Sequence, residues 1–187
     1  MSSQVSVQAP GLSLNIGSGN LRLPGFIGVD QGPSPAVDRV VDLTSHPWPF
    51  ADGSASRVVA WHVLEHLPGY ELGKAMDEIH RILQPGGELY ARVPYKEPGP
   101  YNPCHFHRFN RRTFNFWIDV EATSLQHRGG KFRRLRQEVV GIGGFPVYHL
   151  LRHARWTRRL LFHEDVRTPF TRLPSRYREL REWLVRL

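Results

Sequence analysis

The first half of the chain alternates short apolar segments with turns rich in glycine, proline and aspartate. These segments predict five strands, over 12–16, 26–29, 39–41, 57–61 and 88–93. Apolar residues recur at helical spacing from Leu72 to Leu83, between Pro68-Gly69 and Pro85-Gly86-Gly87, and predict a helix. Because the strands are apolar throughout and alternate with a helix or with crossover loops, we expect an α/β fold with a parallel sheet.

One connection is too short for the helix that usually follows the first strand of such a sheet. Only ten residues separate Gly19 from Asp30, and Pro24-Gly25 interrupt them. The sequence therefore predicts a sheet that lacks a full first helix.

The second half of the chain has a weaker pattern. Residues 95–112 predict a long ordered loop, 113–125 a helix, and 132–142 a strand near the sheet edge. An incomplete apolar stripe over 150–161 and a better one over 177–187 predict two basic amphipathic helices joined by a proline-containing link. We expect a domain over 1–148 and a basic amphipathic helical extension over 149–187.

The charge is distributed unevenly. The formal net charge of +8 comprises −3 over residues 1–100, +5 over 101–149 and +6 over 150–187. This asymmetry favours an acidic partner, although arginines that solvate helix faces explain it equally well. A single cysteine, Cys104, excludes a disulfide framework and a cysteine-based zinc site. With no apolar run long enough to span a bilayer and no signal-peptide pattern, we expect a soluble cytoplasmic protein.

Small and polar residues occupy the carboxyl ends of the predicted strands, where α/β sheets bind ligands. They are Gly17-Ser18-Gly19, Asp30, Asp42 and His62. The glycines permit a close approach of the backbone, Asp30 can accept hydrogen bonds from a ribose diol, and Asp42 can accept from an exocyclic amine. Taken singly, each of these residues also fits an ordinary turn or helix cap.

Together, these residues and the segments around them resemble the class I S-adenosylmethionine-dependent methyltransferases. The resemblance spans residues 12–118 and is closest to a short subgroup associated with polysaccharide and lipopolysaccharide biosynthesis. It is carried by LNIGSGN (14–20), PGFIGVD (24–30), DL (42–43), WPFADGS (48–54), WHVLEHL (61–67), IHRILQPGGEL (79–89), RVP (92–94) and HFHRFN (105–110). A dinucleotide-binding dehydrogenase would instead need GxGxxG opening a helix.

The resemblance implies a Rossmann-like, mostly parallel twisted sheet with flanking helices, and S-adenosylmethionine as cofactor. It implies that Gly17, Ser18 and Gly19 line the methionine and ribose portion and that Asp30 holds the ribose hydroxyls. Asp42 and the backbone of Leu43 would contact the adenine, and His62 the methionine portion. Asn15 stands where many members carry an acidic residue, whereas Glu65 and His66 are expected to fix the loop and the following helix.

Candidate chemistry lies in the loop after the fifth strand. A positioned histidine can remove a proton from a hydroxyl acceptor, and we favour His107 over His105 as the catalytic base. Tyr95, Arg108 and Arg111 are the candidate substrate-binding residues, the arginines for an anionic group. No metal is expected, since Cys104, His105 and His107 form a poor ligand set.

Three classes of function remain open from sequence. The first is methyl transfer to a small-molecule or glycan acceptor, at a hydroxyl of an anionic substrate. The second is a nucleic-acid methyltransferase that uses the arginine-rich C-terminal residues. The third is a catalytically degenerate fold that serves as a binding or membrane-peripheral module, and a homodimer is compatible with each class.

Overall fold

The computed structural model describes residues 11–95, 102–118, 131–141 and 178–187. These residues form a seven-stranded sheet of order β3-β2-β1-β4-β5-β7-β6. The strands are β1 Leu12–Ile16, β2 Ile27–Asp30, β3 Arg39–Val40, β4 Ala55–Trp61, β5 Leu83–Pro94, β6 Phe132–Gly141 and β7 Arg178–Arg186. The helices are α1 Glu71–Ile82 and α2 Asn115–Ile118, and Leu64–His66 form a 3₁₀ turn. Neighbouring strands from β3 to β5 pair in parallel, and β7 pairs antiparallel with both β5 and β6.

The mostly parallel α/β sheet predicted from the hydrophobic pattern is confirmed. The helix predicted between Pro68 and Pro85 is α1, whose apolar stripe packs on one face of the sheet. The buried residues of that stripe are Leu72, Ala75, Met76, Ile79 and Ile82. Because five apolar side chains of α1 leave water together, this contact is a principal source of fold stability.

The opposite face of β1 is covered by a loop instead of a helix. Leu23 is buried there against Val59 and Tyr90, and the Asn15 Nδ2 donates to the Leu21 carbonyl at 3.0 Å. The predicted absence of a full first helix is therefore confirmed. The loop brings the residues after β1 back to β2 within a short stretch of chain.

The prediction of a C-terminal amphipathic helix over 177–187 is wrong where the structure describes these residues. Arg178–Arg186 is strand β7, inserted between β5 and the edge strand β6. Leu180 and Leu184 are buried, as the apolar stripe required, but the neighbouring Glu179 and Glu182 are buried as well. Because the buried positions of β7 include two glutamates, its sequence pattern resembles that of an amphipathic helix.

The remaining predictions for the second half have mixed outcomes. The predicted edge strand over 132–142 is confirmed as β6. The helix predicted over 113–125 is described only at Asn115–Ile118, and the helix predicted over 150–161 lies outside the described residues. None of the helices in the described part of the chain combines the length and the apolar character that a membrane span requires.

An ion-pair network fastens the long β3–β4 connection to α1. Arg81 donates to the Glu78 carboxylate, to Asp52 and to the carbonyls of Trp48 and Phe50. Glu78 also accepts from the Trp48 backbone N–H at 2.7 Å. These hydrogen bonds, of which the one from Arg81 has the largest effect, hold the pKa of Glu78 below its ordinary value.

Glu78→Gln should therefore flatten the acid dependence of stability. A carboxyl whose folded pKa is lowered stabilises the fold above its unfolded pKa, here about 4.5, and that stabilisation is lost as the pH falls through the folded value. Urea unfolding should show the variant less stable by about 1–3 kcal/mol at pH 7, with the difference shrinking below pH 4.5. The exposed Glu88→Gln is the matched control; a Glu78 variant indistinguishable from it at pH 7 would contradict this account.

Candidate active site at the carboxyl ends of the strands

The turn after β1 is built from glycines in the left-handed region of φ. Gly17 has φ +65° and Gly19 has φ +50°. A Cβ on Gly17 would lie 2.3 Å from the Val63 side chain, whereas a Cβ on Gly19 would meet nothing within 4 Å. Gly17 is thus required by packing against the segment after β4. Gly19 leaves an open approach to its backbone, as a ligand lying over the strand tip needs.

Asp30, the last residue of β2, holds this turn in place from the neighbouring strand. Its Oδ2 accepts from the Gly19 N–H at 2.7 Å, and its Oδ1 accepts from the Gln31 N–H at 2.8 Å. Ser34 Oγ donates to the Gly19 carbonyl at 2.6 Å. The carboxylate is half-buried and each oxygen keeps acceptor capacity beyond these bonds. It can therefore accept from a bound diol while it holds the glycine turn.

Asn15 and Ser18 are both buried beneath the turn. The Oδ1 of Asn15 and the Oγ of Ser18 are buried atoms without a hydrogen-bond partner among the described residues. The Ser18 hydroxyl lies near Gly28, where an added Cβ would be 3.2 Å from it. The Ser18 side chain thus points inward, so only its backbone can line a ligand. The Asn15 oxygen is an acceptor that remains to be satisfied beside the turn.

Asp42 follows β3 as an exposed turn residue. Its Oδ1 accepts from the Thr44 N–H and Oγ1, both at 2.8 Å, and its Oδ2 accepts from the Ser45 Oγ at 3.2 Å. These hydrogen bonds lower the pKa of Asp42, and the one from the Thr44 backbone has the largest effect. Leu43 is buried, and its carbonyl accepts from the Trp48 indole at 3.2 Å. Asp42 is thus a fixed carboxylate at the same edge as Asp30.

His62 follows β4 with φ +51°, the one non-glycine residue with positive φ in the described part of the chain. Its Nδ1 lies 3.1 Å from Glu65 Oε1, and its Nε2 lies 3.5 Å from Glu179 Oε1. Both carboxylates are almost fully buried, whereas about a quarter (24%) of the His62 side chain is exposed. Backbone strain in a histidine indicates that the surrounding contacts determine its orientation.

A buried ion pair behind His62 was missed by the sequence analysis. Arg92 of β5 donates through Nε and Nη2 to both carboxylate oxygens of Glu179, and its guanidinium lies 3.5 Å from the Trp61 ring centroid. Arg92 is 7% exposed and Glu179 fully buried. The partners are 87 residues apart in sequence, so no local motif could have revealed them. The pair fixes Glu179 in place against His62.

The loop after β5 returns to the same edge of the sheet. Tyr95 forms an isolated bridge with Phe109, and the Phe106 N–H donates to the Glu65 carbonyl at 2.8 Å. These contacts hold His105 and His107 near the 3₁₀ turn. His107 Nε2 is buried and has no hydrogen-bond partner among the described residues, whereas Asn102 Nδ2 lies 3.1 Å from His105 Nε2. The two candidate bases therefore differ in their surroundings.

The candidate substrate-binding arginines lie on the outer side of this loop. Arg108 and Arg111 are exposed. Arg111 Nη1 lies 3.5 Å from Gln137 Oε1, and the Gln137 amide donates to the Arg111 carbonyl at 2.9 Å. Arg111 is thus tied to β6, on the opposite side of β5 from Asp30. The structure places Arg111 away from the glycine turn and leaves Arg108 on the segment that carries His107.

A match to a protein family covers part of this site. Residues 28–91, which include Asp30, Asp42 and His62, match the methyltransferase domain family. Over these residues the chain is a methyltransferase domain. No curated protein matches its sequence significantly.

Solved structures share the fold of this methyltransferase. A putative methyltransferase from Bacillus halodurans is 10% identical and covers 96% of this chain and 94% of its own, with a TM-score of 0.57. A SAM-dependent methyltransferase from Methanosarcina mazei is 13% identical, with coverages of 97% and 94% and a TM-score of 0.54. The 1,6-didemethyltoxoflavin-N1-methyltransferase of Burkholderia thailandensis, solved with 1,6-didemethyltoxoflavin and S-adenosylhomocysteine, is 14% identical, with coverages of 95% and 71% and a TM-score of 0.56.

The residues present in the methyltransferase fit its cofactor. The open side of Gly19 admits a ligand over the strand tip, and the unsatisfied Asn15 Oδ1 can accept from a donor there. Asp30 and Asp42 stand at the ends of β2 and β3, where a ribose diol and a base can each meet a carboxylate. The residues of the strand-end site therefore fit S-adenosylmethionine as the cofactor of this methyltransferase domain.

Proposed function

We propose that this enzyme transfers the methyl group of S-adenosylmethionine to a hydroxyl of a small-molecule or glycan acceptor that carries an anionic group. The observation that carries the hydroxyl assignment is His107 Nε2, which is buried and has no hydrogen-bond partner within the described part of the chain. A buried imidazole nitrogen without a partner is costly, and a substrate hydroxyl that donates to it would remove that cost.

The cofactor would lie across the strand tips, held by the residues of the glycine turn. Gly17, the Ser18 backbone and Gly19 would line the methionine and ribose portion, with Asp30 on the ribose hydroxyls. Asp42 and the Leu43 backbone would meet the adenine. The exposed part of His62 would lie beside the methionine portion, oriented by Glu65 and Glu179.

For methyl transfer, the main task of the protein is to position the acceptor. The sulfonium carbon of S-adenosylmethionine is already activated, so holding the acceptor oxygen in line with it supplies much of the rate. His107 would accept the hydroxyl proton as the oxygen attacks, which adds a factor of about 10²–10⁴. Tyr95, close to the loop through its bridge to Phe109, would line the acceptor.

The anionic nature of the acceptor is supported by the charge of the loop. Arg108, Arg111 and Arg112 are all exposed and follow His107 closely in the sequence. Guanidinium groups bind carboxylates and phosphates in a bidentate manner. The bound 1,6-didemethyltoxoflavin of the Burkholderia thailandensis neighbour is compatible with a small-molecule acceptor on this fold.

The test is methyl transfer from labelled S-adenosylmethionine to a panel of uronic acids, sugar phosphates, neutral sugars, transfer RNA and single-stranded DNA. We expect label in an anionic sugar and none in either nucleic acid. With that acceptor, His107→Gln should lower kcat by about 10²–10⁴ and leave the affinity for S-adenosylhomocysteine unchanged.

His105→Gln is the matched control for the base assignment, because it changes the other loop histidine by the same substitution. Labelling of nucleic acid alone would overturn the proposed acceptor class. A His107 variant as active as wild type, together with an inactive His105 variant, would transfer the role of base to His105.

A further inference from the structure

Three possible metal ligands meet where the 3₁₀ turn contacts the loop after β5. Glu65, His66 and His105 each offer one ligand atom, and these atoms lie within 4.8 Å of one another. We propose that this cluster binds a divalent transition-metal ion, with Zn²⁺ as the ion of matching chemistry. Imidazole nitrogens favour zinc and its first-row neighbours over Mg²⁺ and Ca²⁺, and two imidazoles with one carboxylate form an established zinc ligand set.

Glu65 supplies the strongest argument, because its carboxylate is buried and only half satisfied. The residue is fully buried, and its Oε1 lies 3.1 Å from His62 Nδ1. Its Oε2 is buried without a hydrogen-bond partner among the described residues. An unpaired carboxylate oxygen away from water is costly, and a cation is the partner that offsets this cost most effectively.

His66 is held with one nitrogen ready for a metal. Its Nδ1 lies 2.9 Å from the Cys104 carbonyl oxygen. A carbonyl only accepts, so Nδ1 carries the hydrogen and donates. The Nε2 of the neutral ring then keeps its lone pair. Metal-binding histidines characteristically donate their other ring N–H to a carbonyl or a carboxylate in this way.

His105 also presents a lone pair. Asn102 Oδ1 accepts from the Cys104 N–H at 3.0 Å, so the amino end of that amide is the one that faces His105 Nε2 at 3.1 Å. An amino group only donates, and Nε2 therefore accepts. Metal binding exchanges this neutral hydrogen bond for a coordination bond. The His105 ring already lies beside His66, with centroids 4.7 Å apart.

The spacing needs only a small contraction to reach zinc geometry. Ligands at about 2.0–2.1 Å from a tetrahedral zinc ion lie about 3.4 Å from one another. The exposed segment Asn102–Cys104 can supply this movement, and the Phe106 N–H on the Glu65 carbonyl keeps His105 beside the turn. Three protein ligands leave a fourth position open for water or for an acceptor oxygen.

The ion would connect the loop to the cofactor side of the site. One oxygen of Glu65 would bind the metal while the other holds His62, the strained residue after β4. This ligand set differs from the one that sequence reasoning considered, because Glu65 and His66 approach His105 only through the packing of the turn on the loop.

Metal binding is tested on the whole chain without cofactor, after removal of metals with a chelator. Calorimetric titration with Zn²⁺ and visible absorption with Co²⁺ should both show one ion per chain, and Mg²⁺ should not compete. His105→Asn should weaken Zn²⁺ binding by about 100-fold, whereas His107→Asn, on the same loop and outside the cluster, should bind as wild type does.

Two results would overturn the site. They are the absence of stoichiometric Zn²⁺ uptake, and a His105→Asn affinity equal to that of wild type, which would place the ion elsewhere. Because neither measurement uses S-adenosylmethionine or an acceptor, a negative result leaves the proposed methyl transfer intact. Conversely, failure of methyl transfer leaves the metal titration interpretable.

Discussion

Asp30→Ala should weaken S-adenosylhomocysteine binding by about 100-fold, with the folded state retained. The carboxylate holds the glycine turn through the Gly19 N–H and would accept hydrogen bonds from the ribose hydroxyls. A hydrogen bond to a charged group contributes about 1.5–3 kcal/mol, so loss of two such bonds lowers the affinity by at least two orders of magnitude. Isothermal titration calorimetry measures the change, and circular dichroism verifies the fold.

Asp38→Ala is the matched control for Asp30. Asp38 lies on the β2–β3 connection that follows Asp30, and it also accepts from a backbone N–H, that of Gly28 at 2.8 Å, and from Arg22. Hydrogen bonds from the Gly28 backbone and from Arg22 lower its pKa, so its removal affects local stability without touching the strand tip. If the Asp30 variant binds the cofactor as tightly as wild type does, Asp30 is not part of the cofactor site.

Glu179→Ala should destabilise the protein by about 3–5 kcal/mol, because it leaves the buried Arg92 guanidinium without its carboxylate. Arg92 is 7% exposed, and its stacking on Trp61 does not replace the two lost hydrogen bonds. Chemical denaturation with urea measures the loss. The same variant should reduce kcat/KM, since His62 loses one of the two carboxylates beside its ring.

Glu138→Ala is the control for Glu179→Ala, because it removes one partner of an exposed charge pair on the neighbouring strand β6. Its partner Arg136 is 44% exposed and Glu138 is 32% exposed, so water replaces the interaction and the expected loss is below about 1 kcal/mol. If Glu179→Ala is no more destabilising than Glu138→Ala, the buried pair does not hold β7 to β5.

The sequence predicted those parts of the fold whose burial is mainly apolar. β1, β2 and β4 each contain buried aliphatic residues, and α1 has an uninterrupted apolar stripe, so their patterns are visible locally. β7 could not be recognised, because its burial includes Glu179 and Glu182. Their partners Arg92 and Arg134 are 87 and 48 residues away, and only tertiary structure shows that these glutamates are neutralised inside the sheet.

The candidate site likewise has one part that the sequence predicts and another that it does not. Gly17, Gly19, Asp30 and Asp42 stand at the ends of predicted strands, and the topology of a parallel sheet is sufficient to bring them together. The cluster of Glu65, His66 and His105 depends instead on how a loop folds back on a 3₁₀ turn, with the Phe106 N–H on the Glu65 carbonyl. No residue spacing encodes that contact.

Thermal unfolding with S-adenosylmethionine, S-adenosylhomocysteine, ATP and NADH tests the cofactor assignment most directly. At a ligand concentration about 100-fold above the dissociation constant, binding stabilises the fold by roughly 2.7 kcal/mol. For a chain of this size, we expect Tm to rise by about 5–10 °C with the first two ligands and to stay unchanged with ATP and NADH. No shift with either sulfur-containing ligand, or an equal shift with NADH, would contradict the account of the strand-end site as an S-adenosylmethionine site.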